Sequence, residues 1–201
     1  MISYFAFNLT SKQFQAIYSP IFSKQEDIII FSFTAPVVYK IFDDCLDEQD
    51  KIKIKQSPNL LANQNFISSR FLKFSTKTLR QFYPFYGLSH TKGYAIQSHS
   101  HIKVGIDLEK LSPRDFSKHL DFCFNSYEKT AITMNQNPLY HFYKIWTLKE
   151  AIIKLCDLSF ANLSEVGLNL KGAFYLHDNS FIDFSHQILQ KNILLSLAWK
   201  I

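Results

Sequence analysis

The chain has 201 residues, of which 47% are hydrophobic and 16% aromatic, and carries a formal net charge of +5 at pH 7. So much apolar side chain excludes a disordered, low-complexity polymer and is enough to build one large domain or two small ones sharing an interface. Cys45, Cys123 and Cys156 lie far apart and form no CxxC pair, which points away from a disulfide framework or zinc knuckle and towards buried thiols in a reducing compartment.

Met1 to Lys12 lack the basic start, long apolar run and small-residue cleavage site of a secretory leader. No stretch approaches the roughly 20 apolar residues of a membrane span. The expectation is a cytoplasmic protein with no membrane partner. Its positive charge favours anionic partners without choosing among them.

Ile2 to Phe7 and Asp27 to Phe33 are short apolar runs bounded by polar residues and are predicted as strands. Lys51, Lys53 and Lys55 then precede a segment from Asn59 to about Lys77, where apolar residues recur at three- and four-residue steps and predict an amphipathic helix. After Pro84 the pattern returns to strand. Tyr94 to Gln97 and Ile102 to Leu108 read as two strands, with Ser98-His99-Ser100-His101 as the polar tip between them. Pro113 ends this region. Helices are expected near Arg114 to His119, around Tyr127 to Met134, and from about Leu139 to Cys156. Val166 to Leu170, Ala173 to His177 and Asn192 to Trp199 are predicted as closing strands. Strands plus one dominant helix in each half permit an α+β fold of two similar lobes, residues 1–101 and 102–201. They would be related by pseudo-twofold symmetry, each a small, mostly antiparallel sheet with a long helix.

Three fragments could carry chemistry. In Val104-Gly105-Ile106-Asp107-Leu108-Glu109, two carboxylates two positions apart on a strand share a face, a spacing that suits either a hard cation or a solvated edge. In Trp146-Thr147-Leu148-Lys149-Glu150-Ala151-Ile152-Ile153-Lys154, Glu150 and Lys154 stand at i and i+4 and could form an ordinary helix ion pair. Lys149 lies near the apolar arc of that helix, where an ammonium must snorkel or meet an anion. Leu88-Ser89-His90, followed by Thr91, Lys92 and Gly93, reads as a polar turn able to grip a phosphate. His99 and His101 have no third ligand nearby and are expected in a solvated loop.

In this order, the three fragments resemble the 4′-phosphopantetheinyl transferase superfamily, and within it the longer, monomeric type that activates peptide and polyketide synthetases. The resemblance covers roughly Phe71 to Leu163. It implies transfer of 4′-phosphopantetheine from coenzyme A to a serine of an acyl, peptidyl or aryl carrier protein, dependent on Mg2+ and releasing 3′,5′-ADP. Asp107, Glu109 and Glu150 would hold Mg2+. Ser89, His90, Lys149 and Lys154 would contact coenzyme A, and Glu150 and Lys154 would take part in the transfer. Phe124-Asn125-Ser126-Tyr127-Glu128 resembles a family segment whose closing acid, here Glu128, supports the site. The family's Gly-Lys-Pro element is missing between the first helix and Ser89, which leaves Lys77 or Arg80 as substitutes. Lys51, Lys53 and Lys55 stand in for an arginine that falls near Asn65. A non-catalytic module of the same fold, binding a carrier protein or nucleotide, is the alternative. A nucleic-acid partner is not expected, because no recognition motif accompanies the charge.

Overall fold

The computed structural model describes residues 2–19, 27–37, 43–164, 166–168, 174–175 and 181–200. The chain divides into two compact units, Met1–Ile102 and Lys103–Ile201. Its class is α+β, with an antiparallel five-stranded sheet in each unit. Among the described residues no helix is long and apolar enough to cross a membrane.

In the first unit β1 (Ile2–Asn8), β2 (Gln13–Ile17), β3 (Ile28–Thr34), β4 (Phe85–Thr91) and β5 (Tyr94–Ser100) pair in the order β2-β1-β3-β5-β4. Central β3 is buried from Ile29 to Thr34, as a strand covered on both faces must be. The connection from β3 to β4 carries α1 (Glu48–Gln56) and α2 (Gln64–Ser75). The single helix expected from Asn59 to about Lys77 is interrupted. Pro58 opens a short 3-10 turn through Ala62, and the Asn63 side chain caps α2 by accepting the Phe66 N–H at 3.1 Å. Lys51, Lys53 and Lys55 lie exposed on α1 itself. Buried Asp50 of α1 accepts a 2.7 Å bond from Arg70 Nε and so ties α1 to α2.

The tip expected at Ser98-His99-Ser100-His101 is not a tip. β5 continues through Ser100, and fully buried His99 stands in register with Ile30 of β3 and Tyr86 of β4. The hairpin turns at Lys92-Gly93, whose φ values of 47° and 83° give the two-residue turn that matches strand twist. Glycine is required there, since a Cβ on Gly93 would fall 2.6 Å from Gln64 Cγ. Burial pushes the His99 imidazole down to about 4, with Arg80 adding to the shift. The folded state therefore favours the neutral ring. That contribution is complete above the unfolded value near 6.5 and is lost as pH falls through 4. We expect a loss of up to about 3 kcal/mol over that window, read as a falling urea midpoint and flattened in His99→Gln; an identical pH profile in the variant would contradict it.

In the second unit β6 (Val104–Lys110), β7 (Gly167–Leu168), β8 (Phe174–Tyr175), β9 (Phe181–Leu189) and β10 (Ile193–Lys200) pair in the order β6-β10-β9-β8-β7. Parts of the strands expected at Val166 to Leu170 and Ala173 to His177 lie outside the described residues. Helices α3 (Ser117–Cys123), α4 (Ser126–Thr133) and α5 (Pro138–Leu155) lie between β6 and β7 in the chain. Asn137 caps α5 by accepting the Tyr140 N–H, and Pro138 occupies the first turn, where its missing N–H costs nothing. Phe142, Leu148, Ala151, Ile152 and Leu155 of α5 are buried in the core cluster, which Leu194 and Ala198 of β10 share. The three cysteines are half-buried, less covered than their apolar character suggests.

Helix α5 approaches β6 most closely at Gly105. A Cβ there would fall 1.9 Å from the Ala151 carbonyl oxygen and 2.8 Å from Leu155 N, both backbone atoms that no rotamer change can move. Gly105→Ala should destabilise the unit by about 3 kcal/mol in denaturant unfolding, because the helix must lift off the sheet. Wild-type stability would show that the contact is softer than the backbone geometry implies.

Candidate metal centre

β6 presents Gly105, Asp107 and Glu109 to one side, since strand side chains alternate. The atoms of α5 that a Cβ at Gly105 would meet identify that side as the one under α5. Over it α5 carries Glu150 and, one turn later, Lys154. One carboxylate oxygen from each of Asp107, Glu109 and Glu150 lies within 4.8 Å of the others. Asp107 is 3% exposed and Glu150 9%, while Glu109 is half-buried. The Lys154 ammonium donates to Asp107 Oδ1 at 2.6 Å, and its side chain is 36% exposed. Lys154 thus bonds across to the strand, while its charge also acts on Glu150 four residues before it.

The electrostatics of this cluster call for a cation. Burial, then the adjacent Asp107 carboxylate, raises Glu150 to about 8; Glu109 adds to the rise and Lys154 opposes it. A hydrogen bond between Glu150 and Asp107 favours the protonated form as well. Three clustered carboxyl groups against one lysine leave negative charge in excess. A hard divalent ion, which takes oxygen ligands and typically one or two carboxylates with waters and phosphates, fits this donor set.

Lys149, expected at coenzyme A, is paired with Glu128. Its side chain is 1% exposed and donates to both carboxylate oxygens of Glu128, at 2.9 and 3.3 Å, with the ring of Phe124 5.3 Å away. Burial lowers the Lys149 ammonium, and the Glu128 charge opposes that shift. Glu128 is also fixed from its own helix. Its side chain accepts the Asn125 N–H at 2.8 Å, while the Asn125 side chain accepts the Glu128 N–H at 2.8 Å, a capping box at the start of α4. The spacing Asn-x-x-Glu at 125–128 carries that signal in the sequence. Lys149 thus anchors α5 to α4, one residue before Glu150.

Ser89 and His90 belong to the first unit and sit within β4, ahead of the turn expected to hold them. They point to opposite faces: Ser89 is buried and His90 exposed. Lys77 holds its ammonium 4.8 Å from the Phe74 ring, and Arg80 its guanidinium 4.1 Å from the ring of Tyr86.

The Lys149 assignment has a stability consequence. Lys149→Met should cost about 3 to 5 kcal/mol, because Glu128 is left as an uncompensated buried charge, and the double variant with Glu128→Gln should recover part of it. Equal stability of the single and double variants in denaturant titration would contradict the pairing.

Residues 103–197, nearly the whole second unit, match the family model described as the 4′-phosphopantetheinyl transferase superfamily. No curated protein matches the chain.

Proposed function

The second unit belongs to the 4′-phosphopantetheinyl transferase superfamily, and from that premise we propose that this chain transfers the phosphopantetheine arm of coenzyme A to a serine of a carrier protein. The observation that carries the reading is the meeting of Asp107, Glu109, Glu150 and Lys154 between β6 and α5, inside the matched region.

Asp107, Glu109 and Glu150 would hold Mg2+, which when bound stabilises negative charge on the pyrophosphate. Lys154 is the cation of the site with an exposed side chain, so it can leave Asp107 for an incoming phosphate oxygen. The carrier serine oxygen forms a bond to the β-phosphorus while the bond to the bridging oxygen breaks and 3′,5′-ADP leaves. The serine proton passes to Glu150, directly or through one water. Burial and Asp107 raise this carboxyl group to about 8, and a bound cation would displace its proton, leaving Glu150 as the carboxylate that can accept one. Phosphoryl transfer asks mainly for positioning and charge stabilisation, and these residues supply both.

On the coenzyme A side, the exposed His90 is the contact to expect from the Ser89-His90 pair, and buried Ser89 supports the strand. The setting proposed is the cytoplasm.

Incubation of the protein with coenzyme A, Mg2+ and an apo carrier protein should add about 340 Da to the carrier, the mass of the transferred arm. Asp107→Ala and Glu150→Ala should abolish the gain with the fold retained. No gain across a panel of acyl, peptidyl and aryl carriers, with carrier association intact in calorimetry, would replace this reading by that of a non-catalytic binding module.

A further inference from the structure

A chain of hydroxyl groups runs beneath α5, beside the acidic cluster. Thr147 Oγ1 donates to the Tyr143 carbonyl at 2.7 Å, Ser196 Oγ lies 2.6 Å from Thr147 Oγ1, and His186 Nδ1 lies 2.9 Å from Ser196 Oγ. Thr147 and Ser196 are fully buried. A hydroxyl has one proton. With the Thr147 proton committed to the Tyr143 carbonyl, Ser196 must donate to Thr147, and His186 must donate from Nδ1 to Ser196. The sequence of donors therefore runs one way, from β9 through β10 into α5.

Its position is what matters. Ser196 is the register partner of His186 on one side and of Asp107 on the other. Cross-strand partners share a face with Cβ atoms about 4.5 to 5.5 Å apart, so Asp107, Ser196 and His186 form one polar row across the sheet. Thr147 caps that row from above and stands three residues before Glu150, on the same side of the helix by helical spacing. The device thus grips both elements that supply carboxylates, β6 through its register with Ser196 and α5 through Thr147. Apolar burial is not directional, so hydrogen bonds of 2.6 to 2.9 Å add a constraint along the helix axis that packing alone specifies less sharply.

We propose that the Thr147, Ser196 and His186 chain is a positioning device that sets the height of Glu150 over Asp107 and Glu109, and so the affinity of the acidic cluster for a divalent cation. The proposal rests on the metal reading above. Groups that orient metal ligands in this indirect way typically change metal affinity 10- to 100-fold when removed.

The test is a Mn2+ titration in the presence of coenzyme A, followed by loss of the free-ion EPR signal. Thr147→Val, which keeps the shape and removes the hydroxyl, should weaken binding about tenfold, Ser196→Ala should do likewise, and Thr147→Ser should restore it. Ile132→Val, a cavity elsewhere in the same core, is the control for stability alone and should leave binding unchanged. Wild-type affinity in Thr147→Val, or equal weakening in Ile132→Val, would overturn the proposal. Absence of Mn2+ binding by the wild-type protein would overturn the metal reading first, and this one with it.

Discussion

The backbone contact between α5 and β6 at Gly105 is the constraint on which the second unit depends. Strand and helix approach so closely that a single methyl group would overlap the Ala151 carbonyl. Only at that separation do carboxylates from the two elements come within 4.8 Å. The closeness is costly in itself, because it buries charge. It is offset on several sides: Lys154 reaches Asp107, Lys149 reaches Glu128, and the apolar residues of α5 are buried. Each fully buried Leu, Ile or Phe contributes about 1.5 to 3 kcal/mol. The acidic cluster is thus a local conflict held in place by a well-packed surrounding.

Within the cluster, charge and burial work against each other in a way that favours reversible cation binding. Burial and the Asp107 carboxylate raise Glu150 to about 8, which favours its protonated form near neutral pH. A divalent ion would displace that proton and remove the repulsion among the three acids. The carboxyl group most strained by its neighbours is therefore the one whose state would change most on cation binding.

Local patterns made much of this legible. The two-residue spacing of Asp107 and Glu109 places them on one face of a strand whatever surrounds it, and the apolar steps of α5 mark its buried arc. Lys149 within that arc had to snorkel or meet an anion, and Glu128 is the anion it meets. What local pattern could not carry was register. Nothing in residues 180–200 announces that Ser196 stands opposite both His186 and Asp107, because pairing is decided by whole sheets. The misreading of His99 has a similar source. Ser-His-Ser-His imitates a turn by composition, yet strands on both sides bury it. Alternation in Lys-Ile-Lys-Ile-Lys at 51–55 likewise hid α1, where Ile52 is left exposed.

Helix α5 answers to several partners at once, and each fixes its rotation. Thr147 must face Ser196, Lys149 must face Glu128, and Glu150 and Lys154 must face Asp107. One residue corresponds to about 100° of turn, so the four side chains form a phase code along two turns of helix. A single inserted or deleted residue between Thr147 and Lys154 leaves no rotation that satisfies the set. An insertion directly after Thr147, for example, would carry Lys149 into the position of Glu150 and Leu148 into that of Lys149. This stretch of chain can therefore vary in identity only between these four positions, and not in length.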